Sequence, residues 1–321
     1  QQCMTGQELS QVKEEELAHR LAQVRVFARV APEQKVQIVT GFQQAGHIVA
    51  MTGDGVNDAP ALKVADIGCA MGVTGTDVAK GAADMILTDD NFATIVKAVE
   101  QGRGIYSNIK KAIHYLLSCN IGEIVTLFLA TLFNFHQPPL VAVQLLWLNL
   151  VTDSLPALAL GMEPVEATVM GEKPRPADQP LFDKAFTFRL AWQGVMVGLL
   201  TLAAYWLGEY VLSDPSLADA TANTMAFATL TFCQLFHAFD VRSEKQSIVH
   251  IGLLSNPAMN KAFLAGMALQ LAVLLAPPLM GVFQVCPLNA VEWLVVLALS
   301  LTPLVICEIE KAVRRSASVG A

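Results

Sequence analysis

The run Thr52-Gly53-Asp54-Gly55-Val56-Asn57-Asp58-Ala59-Pro60 sets two carboxylates four residues apart, with a glycine on each side of the first. Carboxylate oxygens are ligands for hard divalent cations, and magnesium held by one or two of them keeps several waters and is shared with phosphate. Asp54 is the candidate direct ligand, Asp58 its support, and Asn57 is suited to orient a phosphate or a water. Thr52 and Gly53 would border the same phosphate, and Lys35, in Ala31-Pro32-Glu33-Gln34-Lys35, would supply positive charge. A polar surface turn accounts for Gly-Asp-Gly alone but not for the whole run. Gly72-Val73-Thr74-Gly75-Thr76 is a weaker glycine-rich signal and reads as a turn.

A second set of polar residues lies in apolar sequence. Asn120 and Glu123 are three apart, and Asn149, Thr152 and Asp153 follow spacings of three and four, so each set shares a helical face. Pro156 clashes with the carbonyl four residues back, that of Thr152, and removes a hydrogen bond, which loosens backbone oxygens beside Asp153. Carboxylates, amide oxygens and freed carbonyls are a ligand set for a hard cation such as calcium, and unwound helices around an ion are a known membrane device. Asn120 or Thr152 alone reads as helix-to-helix glue. Glu123 with Asp153 reads as ion coordination, because charge at membrane depth is costly. Gln234, His237 and Asp240 line one side of another apolar segment. Asp240 is open between a ligand and an interfacial cap, whereas His237, Cys119, Cys233 and Cys307 read as packing residues. Glu209 and Glu308, near segment ends, read as solvated.

Composition says which elements must position these residues. Of 321 residues, 54% are hydrophobic and 15% charged, with mean hydropathy +0.47; soluble domains run nearer a quarter charged. The excess begins beyond about residue 110, so the expected organisation is a soluble domain, 1–100, and a membrane domain, 101–315. Six stretches reach the roughly 20 apolar residues that a bilayer requires: 112–133, 141–161, 190–212, 222–240, 262–280 and 291–309. The loops 134–140, 213–221 and 281–290 contain no Lys or Arg. Lys110, Lys111, Lys173, Arg175, Lys184, Arg189, Arg242, Lys245, Lys261, Lys311, Arg314 and Arg315 collect on the other side. That asymmetry places the soluble domain and the C-terminus in the cytoplasm. A net charge of −7 argues against nucleic acid as a partner. Six scattered cysteines without Cys-x-x-Cys suggest neither a disulfide framework nor a zinc site. No signal peptide opens the chain and it does not begin with Met, which reads as a fragment.

In the soluble part, helices are expected over 7–20 and 31–45, strands within 22–29 and over 66–70 and 84–87, and a buried strand over 46–51 that ends in the opening motif. The pattern is α/β, a parallel sheet with crossover helices, whose ligands bind beyond the C-terminal strand ends. Residues 92–132 read as one long helix, a mechanical link between the two domains. The loop from Met162 to Ala185, with Pro164, Pro174, Pro176 and Pro180, either docks on the soluble domain or is a plain linker.

Together these runs resemble P-type ATPases of the calcium-pump class. The resemblance rests on Ala28 to Lys35, Met51 to Leu62, Thr88-Asp89-Asp90-Asn91-Phe92, Gly102-Arg103-Gly104-Ile105-Tyr106 and Gln144 to Asp153, and extends over nearly the whole chain. It implies part of a haloacid-dehalogenase-like phosphorylation domain, with Mg2+ at Asp54 supported by Asp58 and with Lys35 against the aspartyl phosphate. It also implies transported Ca2+ at Asn120, Glu123, Asn149, Thr152 and Asp153, in a monomeric multi-pass pump in the bilayer, here a bacterial plasma membrane. ATP would be bound mainly by the missing N-terminal part of the same pump. The family's phosphorylated Asp-Lys-Thr-Gly-Thr is absent, and Asp183-Lys184-Ala185 is a false match, so the fragment alone is expected to be inactive. The family's glutamate in the fourth span has no counterpart, Asp240 being the nearest carboxylate. The alternatives are a pump for sodium, potassium or manganese, and a membrane-anchored phosphatase or regulatory fragment with the same soluble fold.

Overall fold

The computed structural model describes residues 3–176, 179–212 and 217–319. The chain forms two compact units, one of the residues up to Gln101 together with Arg175 and Pro176, the other of the remainder from Gly102 on.

The first unit runs β1 Cys3–Thr5, α1 Gly6–Leu9, α2 Glu14–Leu21, β2 Val26–Ala28, α3 Pro32–Gln44, β3 Ala50–Gly53, a 3-10 turn Val56–Asp58, α4 Ala59–Val64, β4 Ile67–Met71, α5 Asp77–Ala82 and β5 Met85–Leu87. All pairing is parallel, but the expected single sheet is two: β1 with β2, and β3-β4-β5. The helix expected over 7–20 is also divided. Thr5 and Glu8 form a reciprocal capping box that starts α1, and the Ser10 hydroxyl donates back to the Gly6 carbonyl at 3.0 Å before the chain turns into α2. Leu9, Leu17 and Leu21 then meet Met4 and Val24 in one small core. The strand expected over 46–51 begins only at Ala50. Gly46 leaves α3 with φ +84°, a left-handed exit that glycine takes without a Cβ clash, and the Val49 N–H goes to the Asp66 carboxylate at 2.8 Å. Ile48 is consequently 62% exposed.

In the second unit, α6 Phe92–Leu132 begins upstream of the boundary and runs 41 residues without a break, about 60 Å. It is followed by α7 Ala142–Trp147, a π-helical turn Leu148–Thr152, α8 Ser154–Gly161, a 3-10 turn Val169–Gly171, α9 Lys184–Leu207, a second π turn Gly208–Leu212 and α10 Ala218–Val241. The unit closes with α11 Ile248–Ile251, α12 Pro257–Leu275, α13 Pro277–Phe283 and α14 Ala290–Val319.

Five helical stretches among the described residues are long and apolar enough to cross a membrane: Phe92–Leu132, Ala142–Gly161, Lys184–Leu212, Pro257–Leu275 and Ala290–Ser316. The sixth expected span falls in α10, which has the length, at 24 residues, but not the apolar composition. The reason lies in its surroundings. Every residue from Thr221 to Leu235 is buried, so Asn223, Thr224, Thr229 and Gln234 face protein and need not be apolar. The fifth span ends earlier than expected because Pro277 and Pro278 cannot continue α12 and instead open α13. Of the expected loop 213–221, residues 213–216 lie outside the described residues.

Two devices lock the bundle. A Cβ on Gly194 would stand 2.6 Å from Ile121 Cγ2, and one on Gly198 would stand 2.8 Å from Val125 Cγ1, so α9 and α6 approach at backbone distance. Small residues four apart allow such contact within a bilayer. At one end, fully buried Arg242 donates to both Glu163 oxygens at 2.8–3.1 Å and to the Gly252 carbonyl at 3.1 Å. Asn256 adds a 2.7 Å bond to Glu163; a buried charge pair is tolerated when satisfied in this way.

The segment after α8 is fastened along α6: Arg103 donates to the Val169 and Glu172 carbonyls at 2.9 and 3.0 Å, and Lys111 pairs with Glu166 at 3.0 Å. Residues 177–178 of that loop lie outside the described residues. Glu308, expected to be solvated, instead accepts from Ser247 Oγ at 2.5 Å and from the Ile248 N–H at 3.2 Å, because α14 brings it under the N-terminus of α11; Glu209 is half-buried.

Candidate functional site

In the first unit, β3 ends at Gly53 and Asp54 stands exposed beyond it, at the C-terminal strand edge where an α/β sheet places its ligands. The 3-10 turn follows, with Asn57 exposed and Asp58 6% exposed. Lys35, in the first turn of α3, donates to Asp58, and the Gly55 N–H donates at 3.2 Å. Burial opposes ionisation of Asp58, but the Lys35 ammonium and the Gly55 N–H outweigh it and hold the carboxyl below the usual carboxylate range. Gly53 is required for this arrangement, since a Cβ there would lie 2.4 Å from that of Asp58. Thr52 is half-buried in β3 opposite Cys69.

The glycine-rich stretch after β4 is a turn, as expected, and Asp90 clamps it. Its carboxylate accepts from the Val73 and Thr74 N–H groups at 2.9 and 2.8 Å and from the Thr74 hydroxyl at 2.8 Å. The Val73 N–H leads these donors in pushing the carboxyl down to about 2. The Thr76 N–H then donates to the Asp54 carbonyl at 2.8 Å, which ties the clamped turn to the carboxylate motif. The anchoring role of Asp90 has no signal in its local sequence.

The residues present fit a magnesium ion. Among the described residues the exposed Asp54 carboxylate has no hydrogen-bond partner, so hard oxygens are available. Asp58, already bonded by Lys35 and Gly55, is suited to hold the turn and balance charge.

The second unit assembles the other set. Glu123 on α6 is 6% exposed; its Oε2 accepts from Asn149 Nδ2 at 2.9 Å and its Oε1 from Gln234 Nε2 at 3.3 Å. Asn149 and Thr152 lie in the π turn, which the Asp153 N–H closes onto the Leu148 carbonyl at 2.9 Å. Pro156 sits in the first turn of α8, where a missing N–H costs least. Asp153, 1% exposed, accepts from the Tyr115 hydroxyl at 3.4 Å through Oδ1. Its Oδ2 and the Gln234 Oε1 are buried without a partner. Asn120 Nδ2 and Thr152 Oγ1 donate to their own helices, to the Leu116 and Leu148 carbonyls at 2.7 and 3.1 Å.

The structure therefore joins Glu123, Asn149 and Gln234 directly, with Asp153 at the end of the same π turn. Gln234 was noted in the sequence only as a polar residue of its segment, and Tyr115 carried no signal. The two unpartnered oxygens, Asp153 Oδ2 and Gln234 Oε1, are costly to bury unless a proton or a cation satisfies them, and carboxylate and amide oxygens suit a hard cation. The Asn149 and Gln234 amides turn nitrogen, not oxygen, toward Glu123. Asp240 is placed elsewhere. It lies about 9 Å further along α10 than Gln234 and faces His237, Nδ1 to Oδ2 3.5 Å.

Apolar helices of membrane-crossing length with buried carboxylates between them define an integral, multi-pass membrane protein with a polar core. Residues 137–313, over half the chain, match the model of the family described as cation transporting ATPase, C-terminus, and the chain belongs to that family. It is 50% identical over 327 residues to calcium-transporting ATPase 1 of Bacillus cereus, covering 98% of this chain and 37% of that protein. It is 46% identical over 300 residues to a calcium-transporting ATPase of Bacillus subtilis, covering 94% and 33%. Human calcium-transporting ATPase type 2C member 1 is 40% identical over 317 residues, covering 98% and 34%. The chain thus spans about a third of the length of these curated relatives.

Proposed function

We propose that this chain is the C-terminal part of an ATP-driven pump that exports calcium from the cytoplasm through an aspartyl-phosphate cycle. The observation that carries the reading is the buried carboxylate pair Glu123 and Asp153 beside the Asn149 and Gln234 amides, with Asp153 Oδ2 and Gln234 Oε1 unpartnered, in a chain whose relatives are named calcium-transporting ATPases. Calcium takes six to eight oxygens from flexible ligands. Glu123, Asn149 and Asp153 would supply carboxylate and amide oxygens, with Asn120 and Thr152 contributing after their side chains turn from their own helices.

The first unit is read as part of a haloacid-dehalogenase-like phosphorylation domain. Asp54 would hold magnesium, which neutralises charge on the phosphoryl group. Asp58 keeps Lys35 oriented toward that group. The phosphorylated aspartate, the nucleotide site and the remaining spans would come from an N-terminal part of the same monomeric pump. Val26 and Ile48, 55% and 62% exposed on the sheet unit, are apolar surface such a part would cover. α10 is counted as a sixth span shielded from lipid, the basic loops as cytoplasmic, and the membrane as a bacterial plasma membrane. The unbroken α6 carries Asn120 and Glu123 and would transmit movement between phosphorylation and ion release.

In the full-length pump, Glu123→Gln and Asp153→Asn should each lower calcium-stimulated ATP hydrolysis at least tenfold, an order of magnitude expected when a charged ion ligand is lost. Stimulation by manganese, sodium or potassium in place of calcium would assign another cargo. Unchanged activity in both variants would overturn transport at this cluster and favour a phosphatase or regulatory role.

A further inference from the structure

Asp240 belongs to a cluster with a different chemistry from the oxygen site. His237 and Asp240 are three apart on α10 and so share a face, and Cys307 on α14 completes a group whose imidazole nitrogen, carboxylate oxygen and sulfur all lie within 4.8 Å of one another. The three residues are 1%, 3% and 1% exposed. His237 Nδ1 and both Asp240 carboxylate oxygens are buried without a hydrogen-bond partner, although Nδ1 and Oδ2 stand only 3.5 Å apart. Lone pairs that face one another across such a gap, out of water, are costly unless a proton or a metal cation lies between them.

The hydrogen bonds behind the cluster fix which atoms face inward. The Ser118 hydroxyl donates its only proton to the Tyr115 carbonyl at 2.9 Å. With that proton so placed, the hydroxyl would accept from His237 Nε2–H, 3.2 Å away, the tautomer that leaves the Nδ1 lone pair directed at Asp240. A metal-bound histidine is held in this way by a partner on its other nitrogen. The Gln193 amide donates to Cys307 Sγ at 3.5 Å, a contact that a metal-bound thiolate would keep. Of the neighbouring cations, Lys311 bonds Glu308 and the Asp240 carbonyl, and Arg189 pairs with Glu244 while its Nε and Nη1 make no hydrogen bond.

We propose that His237, Asp240 and Cys307 form a zinc site that joins α10 to α14, separate from the oxygen cluster at Glu123. A thiolate selects a borderline-soft ion over calcium or magnesium, and tetrahedral zinc with ligands at about 2.0–2.3 Å sets nitrogen and oxygen about 3.4 Å apart, close to the separation seen here. A cavity of about 20 Å³ beside Asp240 and Cys307, lined also by Gln193, Arg189 and Lys311 but not by His237, has room for one water that could serve as the fourth ligand. On binding, the Cys307 thiol gives up its proton to water, which carries it to the solvent. Zn2+ with one thiolate and one carboxylate is then neutral, as burial between helices requires.

The test is a titration of the purified chain in detergent, stripped of metal, first with Co2+ and then with Zn2+. A near-ultraviolet thiolate-to-cobalt absorption should appear and be displaced by one equivalent of Zn2+. Cys307→Ser should abolish the band, and Cys233→Ser, whose sulfur points to the Leu299 carbonyl at 3.8 Å, should keep it, as should Glu123→Gln. Ser118→Ala should weaken zinc roughly 10-fold or more, the usual effect of removing a ligand's outer partner. The wild-type titration requires no variant to fold: no cobalt–thiolate band there, or a band that survives Cys307→Ser, overturns the site.

Discussion

At Asp90 three donors from one turn converge on a single carboxylate, and the turn they hold is bonded to the backbone of Asp54. The folded-state value of about 2 lies below the ordinary aspartate value of about 3.9. The clamp is therefore fully present above about pH 4 and is lost as pH falls through about 2. Amide exchange at Val73 and Thr74, corrected for intrinsic rates, should show protection that decays over that window. In Asp90→Asn it should be weaker and flat across it. Exchange in the wild type that ignores pH between 4 and 2 would show that the amides are held by something else. The motif 52–60 was legible because its chemistry is local in sequence, whereas Asp90 was not, since its partners lie 16 and 17 residues away.

The contact of α6 with α9 depends on the absence of side chains. Gly198→Val would push the new side chain against Val125 and the Gly122 carbonyl, 2.8 and 2.9 Å from an added Cβ. Overpacking of this kind costs about 1–3 kcal/mol. Thermal unfolding in detergent should register that loss, while Gly281→Ala, with nothing within 4 Å of its added Cβ, should stay within about 0.5 kcal/mol of wild type. Equal stability of the two variants would mean that the helices separate freely. The long α6 was readable from unbroken helical pattern, and the break before α8 from Pro156. The π turn itself was not, because closing a bond from Asp153 to Leu148 is one of several ways a helix can absorb a proline.

Within the second unit, α10 is enclosed by protein, whereas α6, α12 and α14 carry apolar side chains at the surface of this chain. Phe128, Leu264 and Leu294 are 63%, 65% and 68% exposed, whereas Phe227 and Leu230 of α10 are 0% exposed. With this chain alone in a bilayer, a dissolved photoactivated carbene should label α6, α12 and α14 and spare α10. Labelling of Phe227 or Leu230 at the level of Phe128 would refute a central α10.

Apolar stretches, the alternation of basic loops, the strand ending in Gly-Asp-Gly and the spacing of Glu123 and Asp153 were determined by the sequence alone. Each is a local periodicity or a bias that the bilayer imposes whatever the neighbours are. The tertiary structure decided who the neighbours are. It divided the expected sheet in two, surrounded α10 with protein, and brought Gln234 to Glu123 across 111 residues. It also set His237 and Asp240 beside Cys307, three residues whose sequence reading was packing for two and an undecided role for the third. Such contacts follow from which helix faces pack together, and no local spacing encodes that.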